Sequence, residues 1–248
     1  MNAQTDARIL YEVRDRVAYV TLNRPEAKNA MTKSMYAAIR SACEAADCDA
    51  EVDALVVQGS NGAFAVGGDL KEILEVLDGE RPTDIFDYED YLPFEALRSM
   101  SKPTVAAIDG LCLGGGLTLA LMCDIRIATE NSRFAIPEAK VGIVDGHMPR
   151  LLRQEIPPAK LRYWMYTGAL FPAAEADSVG MLTKVVPQAE LGATLDRVLS
   201  ELKASSLEAI AACKKIINET RTLSPMTDAN LSLMKPDVLM RLKAFSAR

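Results

Sequence analysis

The chain of 248 residues lacks the marks of several large protein classes. Lys and Arg number 28 against 34 Asp and Glu, and the resulting net charge of −6 argues against a nucleic-acid partner. A local basic pocket for a phosphorylated ligand stays compatible with that charge. No run approaches eighteen apolar residues, and the N-terminus has no apolar signal core. We therefore expect no membrane partner and a cytoplasmic location.

Residues for metal binding and nucleophilic catalysis are also scarce. The five cysteines have no paired spacing, and the single histidine, His147, belongs to no cluster with metal-ligand spacing. Neither the phosphate-binding pattern GxGxxG nor a serine nucleophile elbow is found. We predict no metal and no separate cofactor, with the cysteines as small core residues in a reducing compartment.

The residues that are present have the composition of an ordinary globular protein, with 49% hydrophobic and 25% charged. Strand-like runs alternate with helix-like segments: a predicted hairpin over 9–22, a helix that Thr32 can cap, and a buried strand over 54–57. Such alternation is typical of βαβ units and predicts an α/β fold with parallel strands. Amphipathic helices are predicted over 191–203 and 207–220, the second capped by Ser206.

The segment KPTVAAIDGLCLGGGLTLALMCD, residues 102–124, is the most distinctive part of the chain. An apolar strand precedes Gly114–Gly116, and a helix-forming stretch follows. Backbone N–H groups at a helix start favour an anion or a polarised carbonyl oxygen. The same glycines would also permit a tight turn and close helix–strand packing without any ligand, so both interpretations stay open here.

A second segment, GSNGAFAVGGDL at residues 59–70, has the same arrangement of strand, glycines and helix. Two such units can each direct one N–H group at a single oxygen atom. That geometry defines an oxyanion hole.

FAVGGDL and IDGLCLGGGLTLALMCDIRIA resemble two segments of the enoyl-CoA hydratase/isomerase (crotonase) superfamily. NRPEAKNAM and FAIPEAKVGI resemble two more, in the family order, so that the resemblance covers roughly residues 10–245. It implies a crotonase-like spiral of ββα units with an acyl-CoA site over residues 1–190. It also implies a C-terminal helical oligomerisation region over 191–248 and assembly into a homotrimer or hexamer. Coenzyme A would enter only as part of the thioester substrate.

Glu138 follows Pro137 in an apolar setting, where burial favours the neutral carboxyl group and suits it to proton transfer. A carboxylate that caps a helix start is the alternative interpretation. The resemblance places Glu138 on the catalytic glutamate of the family and gives the oxyanion-hole N–H groups to Gly68 and Gly115. It further implies that six residues contact the substrate: Ala27, Ala65, Val66, Gly67, Leu70 and His147.

The chain departs from the family pattern at two places near this glutamate. Hydratases carry a second glutamate two residues after the third glycine, where this chain has Thr118. Members with one glutamate include double-bond isomerases. The shortened loop VDGHMPR resembles loops of dienoyl-CoA isomerases, carnitinyl-CoA dehydratases and diketone-cleaving relatives, which makes Asp145 a candidate second carboxylate. Asp145 also fits a simple turn before Gly146, and His147 fits either a loop side chain or a pocket donor.

The resemblance therefore predicts an enoyl-CoA hydratase or double-bond isomerase that stabilises an enolate. The alternatives are a hydrolase that cleaves a carbon–carbon bond of a β-diketone or β-keto thioester, and a non-catalytic binding subunit. The acyl group would be set by variable loops, in which Phe86, Tyr88 and Tyr91 are candidate pocket residues, with ordinary surface packing as the favoured alternative. The chain stops at PDVLMRLKAFSAR, before the family's usual basic tail, which predicts a weaker hold on CoA.

Overall fold

The computed structural model describes residues 6–79, 91–219, 240, 243 and 244. Its strands form two sheets, and we number them in chain order. They are β1 (Ile9–Arg14), β2 (Val17–Leu22), β3 (Ala54–Gly59), β4 (Ala63–Ala65), β5 (Thr104–Ile108), β6 (Leu111–Leu113), β7 (Ile125–Thr129), β8 (Arg133–Ala135), β9 (Phe171–Pro172) and β10 (Lys184–Val186).

Helices follow or cover these strands in the described part of the chain. They are α1 (Lys33–Cys48), α2 (Leu70–Leu77), α3 (Phe94–Ser99), α4 (Gly115–Leu121), α5 (Met148–Leu152), α6 (Pro158–Thr167), α7 (Ala173–Ser178), α8 (Leu191–Lys203) and α9 (Leu207–Glu219). Short 3-10 turns lie at Pro25–Ala27, Glu138–Val141 and Gln188–Glu190. None of the helices within these ranges is long and apolar enough to cross a membrane.

The larger sheet has the strand order β1-β2-β3-β5-β7-β10. β1 and β2 pair antiparallel with Ile9 opposite Leu22, which confirms the predicted hairpin, and the remaining neighbours are parallel. The smaller sheet has the order β4-β6-β8-β9, and its first three strands are parallel.

From β3 to β8, successive strands along the chain belong alternately to the larger and the smaller sheet. β3, β5 and β7 enter the larger sheet, and the strand after each, β4, β6 or β8, enters the smaller one. A helix or 3-10 turn then leads to the next pair, so successive ββα turns stack into a spiral. The predicted α/β fold is confirmed. The parallel strands alternate between two sheets, which the one-dimensional pattern of strand and helix does not reveal.

Most of the core lies between the sheets and the helices that cover them. Trp164 is fully buried and stacks on Phe171 with ring centroids 3.8 Å apart, and its indole N–H donates to Glu175 at 2.9 Å. On the other face of the larger sheet, Leu195 and Leu199 of α8 pack onto its strands. A sheet buried on both faces explains the nearly continuous apolar runs of β3 and β5. The proposed division at residue 190 stays a prediction.

The helix starts follow the predicted capping signals. Thr32 Oγ1 accepts a hydrogen bond from the N–H of Met35 at 3.4 Å, and Ser206 Oγ accepts one from Ala209 at 3.3 Å. The predicted end of the last helix, at residue 220, lies outside the described residues. The NRPEAKNA segment, predicted as a loop, contains the 3-10 turn Pro25–Ala27.

Candidate active site

The site lies where three parallel strands of the smaller sheet end. β4, β6 and β8 are neighbours, so their carboxyl ends meet at the same edge. Beyond these ends come Gly67–Gly68, Gly114–Gly115 and Pro137–Glu138. The order of the strands therefore brings two glycine loops and one carboxyl group together. All three line a cavity of about 550 Å³.

The two glycine loops touch each other. Gly67 has a φ of +100° and Gly114 a φ of +50°, values that glycine adopts without strain. A Cβ atom added to Gly67 would lie 3.2 Å from the backbone nitrogen of Gly115, and one added to Gly115 would lie 3.7 Å from that of Gly68. The backbone nitrogens of Gly68 and Gly115 thus border the same small volume.

A backbone bridge orients the Gly68 peptide. Met31 N donates to Gly67 O at 2.8 Å, and Asp69 N donates to Met31 O at 2.8 Å. Because successive peptide groups of an extended chain point to opposite sides, the N–H of Gly68 itself faces away from Met31. The bridge therefore fixes the direction of one predicted oxyanion donor.

An ion pair reinforces this bridge. The Arg24 guanidinium binds the carboxylate of Asp69 and also donates to the carbonyl of Ala30 at 3.0 Å. Burial alone would raise the pKa of Asp69, but the bond from Arg24 and the backbone N–H groups of Lys71 and Glu72 lower it overall. The NRP segment is thereby joined to the glycine loop it faces.

Glu138 opens the 3-10 turn after β8 and points back at the glycine loop. A Cβ atom added to Gly114 would lie 2.7 Å from Glu138 Oε1. Glu138 Oε2 is buried and has no hydrogen-bond partner among the described residues. Burial, and then the negative charge of Asp145, raise the pKa of Glu138 to about 8. The carboxyl group therefore carries a proton at neutral pH.

Asp145 has a structural and a site-facing oxygen. Its Oδ1 accepts hydrogen bonds from the N–H groups of His147 at 2.8 Å and Met148 at 2.6 Å, at the start of α5. Its Oδ2 accepts one from Thr118 Oγ1 at 3.3 Å. The turn interpretation and the site interpretation of Asp145 thus describe different oxygens of one carboxylate. Thr118, at the position of the family's second glutamate, contacts this candidate replacement.

The structure distributes the other predicted contact residues between the cavity and the packing behind it. Ala65 is fully buried and does not line the cavity; its backbone oxygen lies 2.3 Å from a Cβ added to Gly116, which marks close packing of β4 on α4. Phe86 and Tyr88 lie outside the described residues. The predicted residues that do line the cavity are Ala27, Val66, Gly67, Leu70, Tyr91 and His147.

Two cavity residues, Tyr36 and Phe94, were missed by reasoning from the sequence. Phe94 meets His147 edge-on at 5.0 Å, and Tyr36 meets Phe94 edge-on at 6.0 Å. Tyr36 lies three and seven residues before the buried Ile39 and Cys43 of α1, so helical periodicity could have placed it inside. The direction of its hydroxyl group depends on the fold, so the sequence contains no signal for it.

These groups define a class of chemistry. Two neighbouring backbone nitrogens can donate to one oxygen that gains negative charge, and a protonated, buried carboxyl group lies next to them. Within the described ranges no set of three His, Cys, Asp or Glu side chains could hold a metal ion. The two backbone nitrogens and the carboxyl group form an arrangement suited to stabilising an oxyanion and transferring a proton close to it.

Comparison with known proteins identifies the family. The family model described as enoyl-CoA hydratase/isomerase matches residues 12–235. A protein named probable enoyl-CoA hydratase, from Mycobacterium bovis, is 34% identical over 211 residues, which cover 85% of this chain and 80% of that protein. A crotonyl-CoA hydratase of Syntrophomonas wolfei is 31% identical over 217 residues, with 85% and 81% covered.

A solved structure agrees with these sequence matches. The crystal structure of an enoyl-CoA hydratase from Mycobacterium avium subsp. paratuberculosis superposes with a TM-score of 0.85 at 28% identity, covering 98% of this chain and 96% of that one. This chain belongs to the enoyl-CoA hydratase/isomerase family, whose members act on acyl-CoA substrates. The resemblance inferred from four short segments and the crotonase-like fold are both confirmed.

Proposed function

We propose that the chain hydrates the double bond of an α,β-unsaturated acyl-CoA thioester. The observation that supports this proposal most strongly is the position of Glu138. Its buried carboxyl group has a pKa of about 8 and lies beside the two glycine donors, where it can supply a proton at neutral pH. The names of the relatives support this reaction, since the Syntrophomonas wolfei protein is a crotonyl-CoA hydratase.

The residues of this chain fill the roles that hydration requires. The thioester oxygen accepts hydrogen bonds from the N–H groups of Gly68 and Gly115, so that negative charge gathers there. Water forms a bond to Cβ, the double bond's electron pair moves to Cα, and Glu138 gives its proton to Cα. The proton lost by water goes to Asp145. The sum is one water molecule added across the double bond.

Thr118 takes part through Asp145 in this scheme. A threonine hydroxyl cannot act as a carboxylate base, but it lies 3.3 Å from Asp145 Oδ2 and can accept a hydrogen bond from the attacking water. The base thus comes from the loop before α5 in place of the helix after the glycines.

Double-bond isomerisation is the second candidate, and the engagement of Asp145 Oδ1 by two N–H groups favours it. In that reaction the ionised form of Glu138 would act as the base, removing a proton from one carbon and returning it to another. Asp145→Asn separates the two reactions, because it removes the base for water and leaves Glu138 in place. We expect this variant to lose hydration of crotonyl-CoA by at least tenfold and to keep any 3-enoyl to 2-enoyl isomerisation.

A substrate panel tests the proposal as a whole. Purified protein should hydrate crotonyl-CoA, measured by the loss of enoyl thioester absorbance, and should leave a cyclic β-diketone intact. Cleavage of the diketone without hydration would favour the carbon–carbon hydrolase, and no turnover of either would favour the binding subunit.

Exposed apolar side chains support the proposal that the protein assembles into a closed homo-oligomer. Tyr163 and Tyr166 of α6 and Leu170 beyond it are large apolar side chains exposed by 56%, 73% and 62%. A closed homotrimer, or a dimer of trimers, would cover such side chains. Light scattering at micromolar concentration should give three or six times the monomer mass of 26.9 kDa. A cytoplasmic location fits this assignment.

A further inference from the structure

The hydroxyl group of Tyr36, a residue of α1, lies next to the two glycine loops. Tyr36 lies in the first turn of α1, is 6% exposed, and lines the cavity. Its ring is fixed between Tyr91 at 6.5 Å and Phe94 at 6.0 Å. A Cβ atom added to Gly115 would lie 2.5 Å from Tyr36 Oη, and one added to Gly68 would lie 3.9 Å from it.

This contact explains why residue 115 is glycine. Gly115 does not have a positive φ, so its backbone conformation suits any residue. The nearest obstacle to a Cβ atom there is Tyr36 Oη, and the backbone atoms of Gly67 and Gly68 follow at 3.7 Å. The phenol oxygen therefore occupies the space beside the two backbone nitrogens.

We infer that the Tyr36 hydroxyl is a third hydrogen-bond donor to the thioester oxygen, beside the N–H groups of Gly68 and Gly115. This inference rests on the proposed function, because it assigns a catalytic role at the same oxyanion. A phenol O–H is a good donor, and the packed ring holds it in place before substrate arrives. Preorganised donors of this kind act most strongly on charge that develops during the reaction, so Tyr36 contributes more to kcat than to KM.

Tyr36→Phe tests the role because it removes one oxygen atom and keeps the ring. We expect kcat/KM for crotonyl-CoA to fall roughly ten- to a hundredfold, mostly in kcat. Tyr19→Phe is the matched control, since Tyr19 is a buried tyrosine of the larger sheet outside the cavity. The control should keep wild-type kinetics.

A spectroscopic measurement separates a donor from a packing residue. A cinnamoyl-CoA with an electron-donating ring substituent absorbs at longer wavelength when its carbonyl group is polarised. Wild-type protein should shift the absorption of the bound thioester to longer wavelength, and Tyr36→Phe should reduce that shift at full occupancy. A role limited to packing would leave the shift unchanged.

A pair of stability measurements tests the geometry independently of turnover. Gly115→Ala should lower the free energy of unfolding, and adding Tyr36→Phe should restore part of it because the crowded oxygen is gone. If wild-type protein is active and Tyr36→Phe has the same kcat/KM and the same absorption shift, the inference is wrong and the proposed function stands. Wild-type protein that neither binds nor turns over any enoyl-CoA would overturn both.

Discussion

Glu138 makes the stability of the protein depend on pH. Its pKa rises from an ordinary value of 4.5 to about 8 in the fold, because burial and Asp145 disfavour the charged form. At a pH between these two pKa values, Glu138 is ionised in the unfolded chain and protonated in the folded chain. The free energy of unfolding therefore falls as pH rises through this window.

Glu138→Gln removes this dependence, since the amide does not titrate. The free energy of unfolding of wild type, measured relative to that of the variant, should fall by a few kcal/mol, on the order of the pKa shift, as pH rises from 5 to 8.5. Urea unfolding of both proteins at the two pH values measures the difference. Parallel changes in the two proteins would contradict the raised pKa.

The first turn of α4 is the element that presents the proposed oxyanion donor. Gly115 is its first residue, where the N–H group has no intrahelical acceptor and proline is well tolerated. The N–H group is therefore available to a substrate at no cost to the helix ladder.

Gly115→Pro removes that N–H group, and Gly115→Ala is its matched control. Both substitutions add a Cβ atom near Tyr36 Oη, and proline in addition replaces the amide hydrogen with its ring Cδ atom. The proline variant should turn over crotonyl-CoA at least a hundredfold more slowly than the alanine variant, because one donor is worth roughly 3 kcal/mol. Circular dichroism checks that both are folded. Equal rates would remove Gly115 from the mechanism.

The sequence predicts best those features that depend on interactions between residues close together in the chain. The caps of Thr32 and Ser206 are local hydrogen bonds, and both appear where the sequence places them. β4, β6 and β8 have three residues each, too short to show a period, although their order creates the site. Likewise, no spacing in the sequence could show Tyr36 Oη beside Gly115, because that contact depends on how α1 packs against the larger sheet and α3.

In the molecule as a whole, an ion pair between the buried Lys214 and the more exposed Asp124 joins α9 to the core. The Lys214 ammonium donates to Asp124 Oδ2 at 2.9 Å and to the carbonyl of Lys102 at 3.1 Å, with its side chain 6% exposed. Arg98 and Asn218 add two further hydrogen bonds between α3 and α9. α9 therefore stabilises the segment that leads into β5 without lining the cavity.

Lys214→Met should lower the free energy of unfolding by about 2 kcal/mol, the usual worth of hydrogen bonds to charged groups. The neighbouring exposed Lys215→Met is the control and should change stability by less than about 0.5 kcal/mol. Turnover of crotonyl-CoA at low temperature should be unchanged in both. A loss of stability of the same size in the two variants would show that the ion pair between Lys214 and Asp124 is not the cause.

The pH profile of hydration tests the central claim most directly, because it reports the protonation state in which Glu138 works. We predict that kcat/KM for crotonyl-CoA is level from pH 6 to about 8 and then falls tenfold per pH unit as Glu138 loses its proton. Glu138→Gln should be slower by roughly 10²–10⁴-fold at pH 7. A rate that rises through pH 8, or wild-type turnover in Glu138→Gln, would contradict the account.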